Sequence, residues 1–298
     1  MKVLNFGSLN YDYVYSVDHI VAPGETITSS AMQMFCGGKG LNQSVALSRA
    51  GVQVYHAGMV GEDGSALIEV CKKNNVDTQH ICQVDERSGN AIIQVSSKGQ
   101  NSIVLFSGAN RQNTKDFVDK VLATMQAGDI LLLQNEINLI DYIIEQAYKK
   151  QLYIILNPSP FDEALKQCDL TKVSLFLLNE VEGMQITGFQ NTSDILDNMR
   201  LRYPNASVTL TLGKSGVVCL HENKVYQHGI YNVPVVDTTA AGDTFTGFFV
   251  AGLLHQKPMA EVLRIASVAS SIAVSRKGAV ASIPYMQEVL SVNLELLS

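Results

Sequence analysis

The run Asp237-Thr238-Thr239-Ala240-Ala241-Gly242-Asp243-Thr244-Phe245 precedes an apolar stretch that reads as a helix to about His255. Small residues at 240–242 place unpaired backbone N–H groups at a helix amino terminus, where the helix dipole favours an anion. Asp243 falls in the first turn of that helix. One reading is a carboxylate that stabilises the helix start. The other is a base: Asp243 takes a proton from a hydroxyl while the amides of Ala240, Ala241 and Gly242 stabilise a phosphoryl group in transfer.

A second cluster is Gly37-Gly38-Lys39-Gly40-Leu41-Asn42-Gln43. It sits at a strand-to-helix junction, where glycines permit either a tight turn or close approach of a ligand to backbone. Lys39 and Asn42 add polar groups at the helix start. A dinucleotide fingerprint would need a third glycine where Gln43 stands. Gly213-Lys214-Ser215 matches only the end of a P-loop, because Val208 occupies the position of its first glycine. The apolar Val217-Val218 beyond it predicts a turn into another strand.

These clusters need a scaffold, and the second half of the chain supplies its pattern. Short apolar runs, each fit for a strand buried on both faces, occur at 129–134, 153–156, 174–178 and 208–212. They end at Gln134, Asn157-Pro158, Asn179 and Gly213, and a helical period follows the first from Leu139 to Lys150. Repeated βα units predict a mostly parallel sheet between two helix layers. The first third differs. Tyr11 to Val17, Thr26 to Phe35, Ala91 to Val95 and Ser102 to Phe106 read as strands, the last two joined by a hairpin turn at 98–101. They form either a small antiparallel sheet apart from the main one, suited to a lid or an oligomer contact, or an extension of the main sheet.

Composition bounds the function. The 298 residues are 46% hydrophobic and 17% charged, with a net charge of −6, which disfavours broad nucleic-acid binding. No apolar run approaches the ~18 residues of a membrane span. The amino terminus reads as a strand and turn, without the apolar core of a signal peptide. Five cysteines without C-x-x-C spacing predict reduced thiols and a cytoplasmic protein. Scattered histidines give no structural zinc site.

The glycine cluster and the Asp243 run resemble the two signatures of the ribokinase (PfkB-type) family of carbohydrate kinases. Gly7-Ser8-Leu9-Asn10-Tyr11-Asp12, Pro23-Gly24-Glu25-Thr26, Gly108-Ala109-Asn110, Gln134-Asn135-Glu136 and Asn157-Pro158 resemble further landmarks. So do Asn179-Glu180-Val181-Glu182, Thr211-Leu212-Gly213 and Arg276-Lys277-Gly278-Ala279, all in the family's order across essentially the whole chain. The resemblance implies one α/β domain over residues 1–298, a three-layer α-β-α sandwich with a β-sheet lid from segments of about 11–35 and 90–106. It implies ATP-dependent phosphorylation of a sugar at its primary hydroxyl, with D-ribose favoured. Another sugar, a sugar phosphate or a nucleoside is the alternative, and a non-catalytic sugar-binding protein a distant one.

By the same resemblance Asp243 is the base, and Ala240, Ala241 and Gly242 form the anion hole. Asn10, Asp12, Gly38, Lys39, Asn42 and Glu136 hold the sugar. Asn179, Thr211, Gly213 and Gly242 face ATP, and Glu182 serves Mg²⁺ through water. Asp237, Thr239, Arg276, Gly278 and Ser282 surround a monovalent cation, K⁺, several through backbone carbonyls. A homodimer through the lid is implied as well. Leu41, Tyr11 and Asn135 depart from the family pattern, and bulk there is expected to bear on the choice of sugar.

Overall fold

A computed structural model describes residues 1–297. In chain order its strands are β1 (Val3–Phe6), β2 (Asn10–Val17), β3 (Ala31–Gly37), β4 (Val54–Val60), β5 (Asp77–Gln83), β6 (Gly89–Ser96), β7 (Asn101–Phe106) and β8 (Ile130–Gln134). Then come β9 (Tyr153–Asn157), β10 (Leu175–Asn179), β11 (Ser207–Thr211), β12 (Val217–His221), β13 (Lys224–His228), β14 (Ile230–Tyr231) and β15 (Leu296–Leu297).

Nine strands form the central sheet in the order β13-β12-β11-β10-β9-β8-β1-β4-β5. Pairing is parallel from β11 to β5, and β12 and β13 add an antiparallel edge. The predicted strands recur within a residue or two of their expected bounds. Alternation along each strand builds two cores. Val3, Ile130 and Leu132 face the helices Lys39–Arg49, Ala241–Leu254 and Met259–Val274. Leu4, Phe6, Leu131 and Leu133 face the helices Lys115–Ala123, Ile140–Lys149 and Thr192–Arg202. With both faces covered, β8, β9 and β10 are apolar over most of their length, as the short runs predicted.

From β1 the chain winds outward through β4 and β5, and later through β8, β9, β10 and β11 in the other direction. The order therefore reverses between β1 and β8, and such a switch point opens a crevice at the carboxyl ends of the strands. The turns after β1, β8, β9, β10 and β11 all end there.

A second sheet, β3-β2-β6-β7, stands apart from the central one. It is mixed, which corrects the expectation of an antiparallel sheet: β2 pairs β6 in parallel, whereas β2–β3 and β6–β7 are antiparallel. The reason is the route. The chain visits β4 and β5 before β6, so β6 arrives running with β2. The expected strand from Thr26 starts only at Ala31, because register pairs Ser16 with Ala31 and leaves 18–30 as a loop. Among the described residues no helix is long and apolar enough to cross a membrane.

Candidate active site

A cleft of about 260 Å³ opens at the carboxyl edge of the central sheet. Lys39, Asn179, Glu182, Thr211, Gly242 and Asp243 are among its lining residues. The helix Ala241–Leu254 starts at its floor, and Ala240 precedes it in the left-handed region with φ 58°. A residue with a Cβ rarely holds that conformation, and the turn it makes aims successive amides one way. The amides of Ala240, Gly242 and Asp243 have no acceptor among the described residues, and that of Ala241 makes a long 3.3 Å bond to Thr238 O.

Asp237 sets the turn. Its Oδ1 accepts from Thr239 N at 2.9 Å and Thr239 Oγ1 at 2.6 Å, and its Oδ2 accepts from Gly278 N at 2.9 Å. Burial alone would raise its pKa; the donors from Thr239 and Gly278 outweigh burial and hold it below the ordinary value. This carboxylate thus ties the turn before the helix to the loop that follows Arg276.

Asp243 is 8% exposed, and both its oxygens are engaged. Oδ2 accepts from Asn42 Nδ2 at 3.0 Å and Oδ1 from Gln43 Nε2 at 2.9 Å. Asn42, Gln43 and Lys39 all belong to the first turns of the helix Lys39–Arg49. That helix lies close to the turn after β1: a Cβ at Gly40 would sit 2.4 Å from Ser8 N, so only glycine permits the approach. Burial works against the charge of Lys39, but the carboxylates of Asp243, Glu136 and Glu182 overcome it and raise its pKa.

The remaining polar residues gather where the two sheets meet. Asn10 and Asp12 lie on β2, two residues apart and so on one face. Asn10 Oδ1 accepts from Asn110 Nδ2 at 2.7 Å. Glu136, beyond β8, accepts from Ser8 Oγ and from Lys39 N at 3.2 Å. Burial raises the pKa of Glu136 in spite of Lys39. Burial, with Glu136 and Asp243 nearby, pushes Asp12 up to about 7. Three carboxyls and one ammonium therefore share a partly dry recess lined with directional donors and acceptors, as recognition of a polyol demands.

Across the cleft, Asn179 and Glu182 form a capping box at the start of the helix Glu180–Thr187. Asn179 Oδ1 accepts from Glu182 N at 2.9 Å, and Glu182 Oε2 accepts from Asn179 N at 3.0 Å. Their spacing thus has a local structural cause. The buried Glu182 carboxylate still borders the cleft and keeps lone pairs, a donor set that fits Mg²⁺, which takes few protein ligands and retains water. Thr211 ends β11, and Gly213 opens a 3₁₀ turn to Ser215 before β12, as expected of a turn into a strand. Among the residues expected around a monovalent cation, Asp237, Thr239 and Gly278 come together directly. Arg276 spends its side chain on Glu288, which leaves it only a backbone carbonyl for a cation, and Ser282 donates its hydroxyl proton to Ala279 O at 2.7 Å.

Two groups of residues modify the sequence reading. Tyr11, Leu41 and Asn135 do not line the cleft. Tyr11 takes the opposite face of β2 from Asn10 and Asp12 and donates to Asp63 O at 2.6 Å. Leu41 is fully buried in the core, and Asn135 donates to Pro160 O at 2.7 Å and Asp162 Oδ1 at 2.9 Å. Each of these side chains is thus engaged in the core or with a partner of its own. Conversely, Gln43 and Asn157 enter the surroundings of Asp243 without having been assigned a role. Neither carries a signal in isolation; the sign available was a polar residue at a buried helix or strand position.

Residues 1–286 match the profile of the pfkB family carbohydrate kinases. The chain is 35% identical over 297 residues to a ribokinase of Haemophilus influenzae, covering 95% of each. It superposes on the ribokinase of Thermotoga maritima with a TM-score of 0.87 at 31% identity, covering 97% of this chain and 98% of that one. The Arabidopsis thaliana ribokinase complexed with ribose and ATP gives 0.83 at 28% identity, with 97% of each chain covered.

Proposed function

Because the chain belongs to the pfkB family of carbohydrate kinases, we propose that it transfers the γ-phosphoryl group of ATP to the primary hydroxyl of D-ribose, giving ribose 5-phosphate and ADP. The observation that carries this reading is the position of Asp243. It stands between free helix amides on one side and the recess of Asn10, Asp12, Lys39 and Glu136 on the other.

The roles follow from that position. Asn10, Asp12, Asn42 and Glu136, with backbone at Gly38, hold the sugar hydroxyls, and Lys39 balances their charge. Asp243 takes the proton of the primary hydroxyl as that oxygen attacks phosphorus and the bond to the β-phosphate oxygen breaks. The amides of Ala240, Ala241, Gly242 and Asp243 stabilise charge on the transferring group, and Lys39 adds a cation beside it. Asn179, Thr211 and Gly213 border the nucleotide. Glu182 would hold Mg²⁺ through water, and the ion would neutralise phosphate charge. A K⁺ beside Asp237, Thr239 and the carbonyls of Arg276, Gly278 and Ser282 would stiffen the anion-hole turn.

The mixed sheet serves as a lid in this reading, with residues 1–298 acting as one catalytic unit in the cytoplasm. Its outer strands expose Met32, Met34, Ile103, Val104 and Phe106, an apolar surface suited to a homodimer through the lid. ADP release measured across pentoses, hexoses and nucleosides tests the function. Ribose should give the highest kcat/KM, and a nucleoside or hexose preferred by tenfold or more would overturn the assignment.

A further inference from the structure

Gln43 is completely buried and touches Asp243, yet it does not line the cleft. A residue sealed from the substrate can act on the reaction only through the group it holds. From its contacts we infer that Gln43 is the positioning residue of the base: its amide, fixed in direction, places one N–H donor on Oδ1 and keeps the Asp243 carboxylate oriented. This rests on the reading of Asp243 given above.

The direction of the Gln43 amide follows from its neighbours, because amide oxygens and nitrogens are told apart by their partners. Asn5 Nδ2 donates to Gly40 O at 2.7 Å, and a backbone carbonyl only accepts. Asn5 Oδ1 must therefore face Gln134, whose Nε2 donates to it at 2.9 Å. The same Gln134 Nε2 donates to Gln43 Oε1 at 2.7 Å. With its oxygen so engaged, Gln43 turns Nε2 toward Asp243 Oδ1 at 2.9 Å and Asn157 Oδ1 at 3.1 Å. Asn157 is fixed independently, since its Nδ2 donates to Leu177 O at 3.0 Å. Backbone carbonyls thus anchor the series at both ends. Reversing Gln43 would set its oxygen against a carboxylate and an amide oxygen, and its NH₂ against that of Gln134.

Such a series has a chemical purpose at a base. Asp243 shares its recess with the carboxyls of Asp12 and Glu136. A buried donor on Oδ1 fixes the rotation of the carboxylate, with Asn42 holding Oδ2. A hydrogen bond to a charged group contributes ~1.5–3 kcal/mol, which corresponds to roughly ten- to hundredfold in rate.

The test compares wild type, Gln43→Met and Asp243→Asn by steady-state ADP release with ribose between pH 5.5 and 9. Gln43→Met keeps the side-chain length and removes both donors. It should lower kcat roughly ten- to hundredfold and leave the KM values for ribose and ATP within about threefold. Wild-type turnover overturns the inference. So does a rise in ribose KM at unchanged kcat. If Gln43→Met does not fold, Gln43→Glu decides. Its carboxyl donates only when protonated, so turnover relative to wild type should fall as pH rises, and a profile parallel to that of wild type overturns the inference. Asp243→Asn separates the two readings: full activity there would sink the base itself, whereas an inactive Asp243→Asn beside an unaffected Gln43→Met would sink only the role of Gln43.

Discussion

Asp12 should make the free protein less stable than it would be without that charge, and replacing it by asparagine should expose the conflict. Burial, Glu136 and Asp243 raise its pKa from 3.8 to about 7. At ~1.36 kcal/mol per pH unit that rise amounts to ~4 kcal/mol. Asp12 is half-buried, so water screens part of it and roughly 1–2 kcal/mol remains. The folded chain holds a proton that the unfolded chain has released, so the penalty grows as pH climbs from about 4 and is complete above about 7. Asp12→Asn removes the charge and keeps the shape. It should melt ~2–6 °C above wild type at pH 8, with a smaller gain at pH 5. The same variant should lose the stabilisation that ribose gives wild type, because the amide cannot replace the carboxylate as a twofold acceptor. Thermal melts from pH 4 to 8, with and without ribose, measure both. A variant that melts at or below wild type at pH 8, or a difference that does not grow with pH, would refute the reasoning.

Asp243→Asn should lower kcat by ~10²–10⁴ while nucleotide binding persists, checked by ADP release beside titration with a fluorescent nucleotide; near-normal turnover would remove the base assignment. Gly40→Ala places a Cβ 2.4 Å from Ser8 N, between two backbones that cannot both yield. It should cost ~2 kcal/mol or more and abolish ribose-induced stabilisation, read from denaturant melts. Asn179→Ala removes one half of the capping box and should destabilise by ~1 kcal/mol, since both partners sit at one helix start; a chemical denaturation midpoint equal to wild type would contradict it. Size-exclusion chromatography with light scattering should give twice the mass of the chain, and Val104→Lys on the exposed lid strand should reduce it to one.

The parallel sheet was legible because β8 to β11 are buried on both faces, and that burial writes itself as short, mainly apolar runs, each stopped by an amide side chain or a glycine. The helix Ala241–Leu254 was legible for a different reason: small residues before an apolar stretch leave few alternatives. Strand pairing was not legible. Nothing local to 89–96 says that it runs with β2, since that depends on the intervening excursion through β4 and β5. The face that Tyr11 takes was legible as well. With Asn10 and Asp12 on one face, the period of two sends Tyr11 to the other. Gln43, Gln134 and Asn157 stayed silent because an amide carries no charge and no period; only the pairing of each donor with its acceptor reveals them.

The polar recess and the nucleotide edge come from different stretches of the chain. Ser8 through Asn42, with Glu136, supply the first, and residues from Asn157 onward supply the second, with Asp243 reaching across. The two kinds of recognition can therefore change by separate inheritance. In the proposed reading, drift at Asn10, Asp12 and Glu136 that spares Lys39, Asn42 and Gln43 can trade one polyol for another while the transfer chemistry passes on unaltered, and a chimera joined between Glu136 and Asn157 would carry its acceptor preference from the amino-terminal parent.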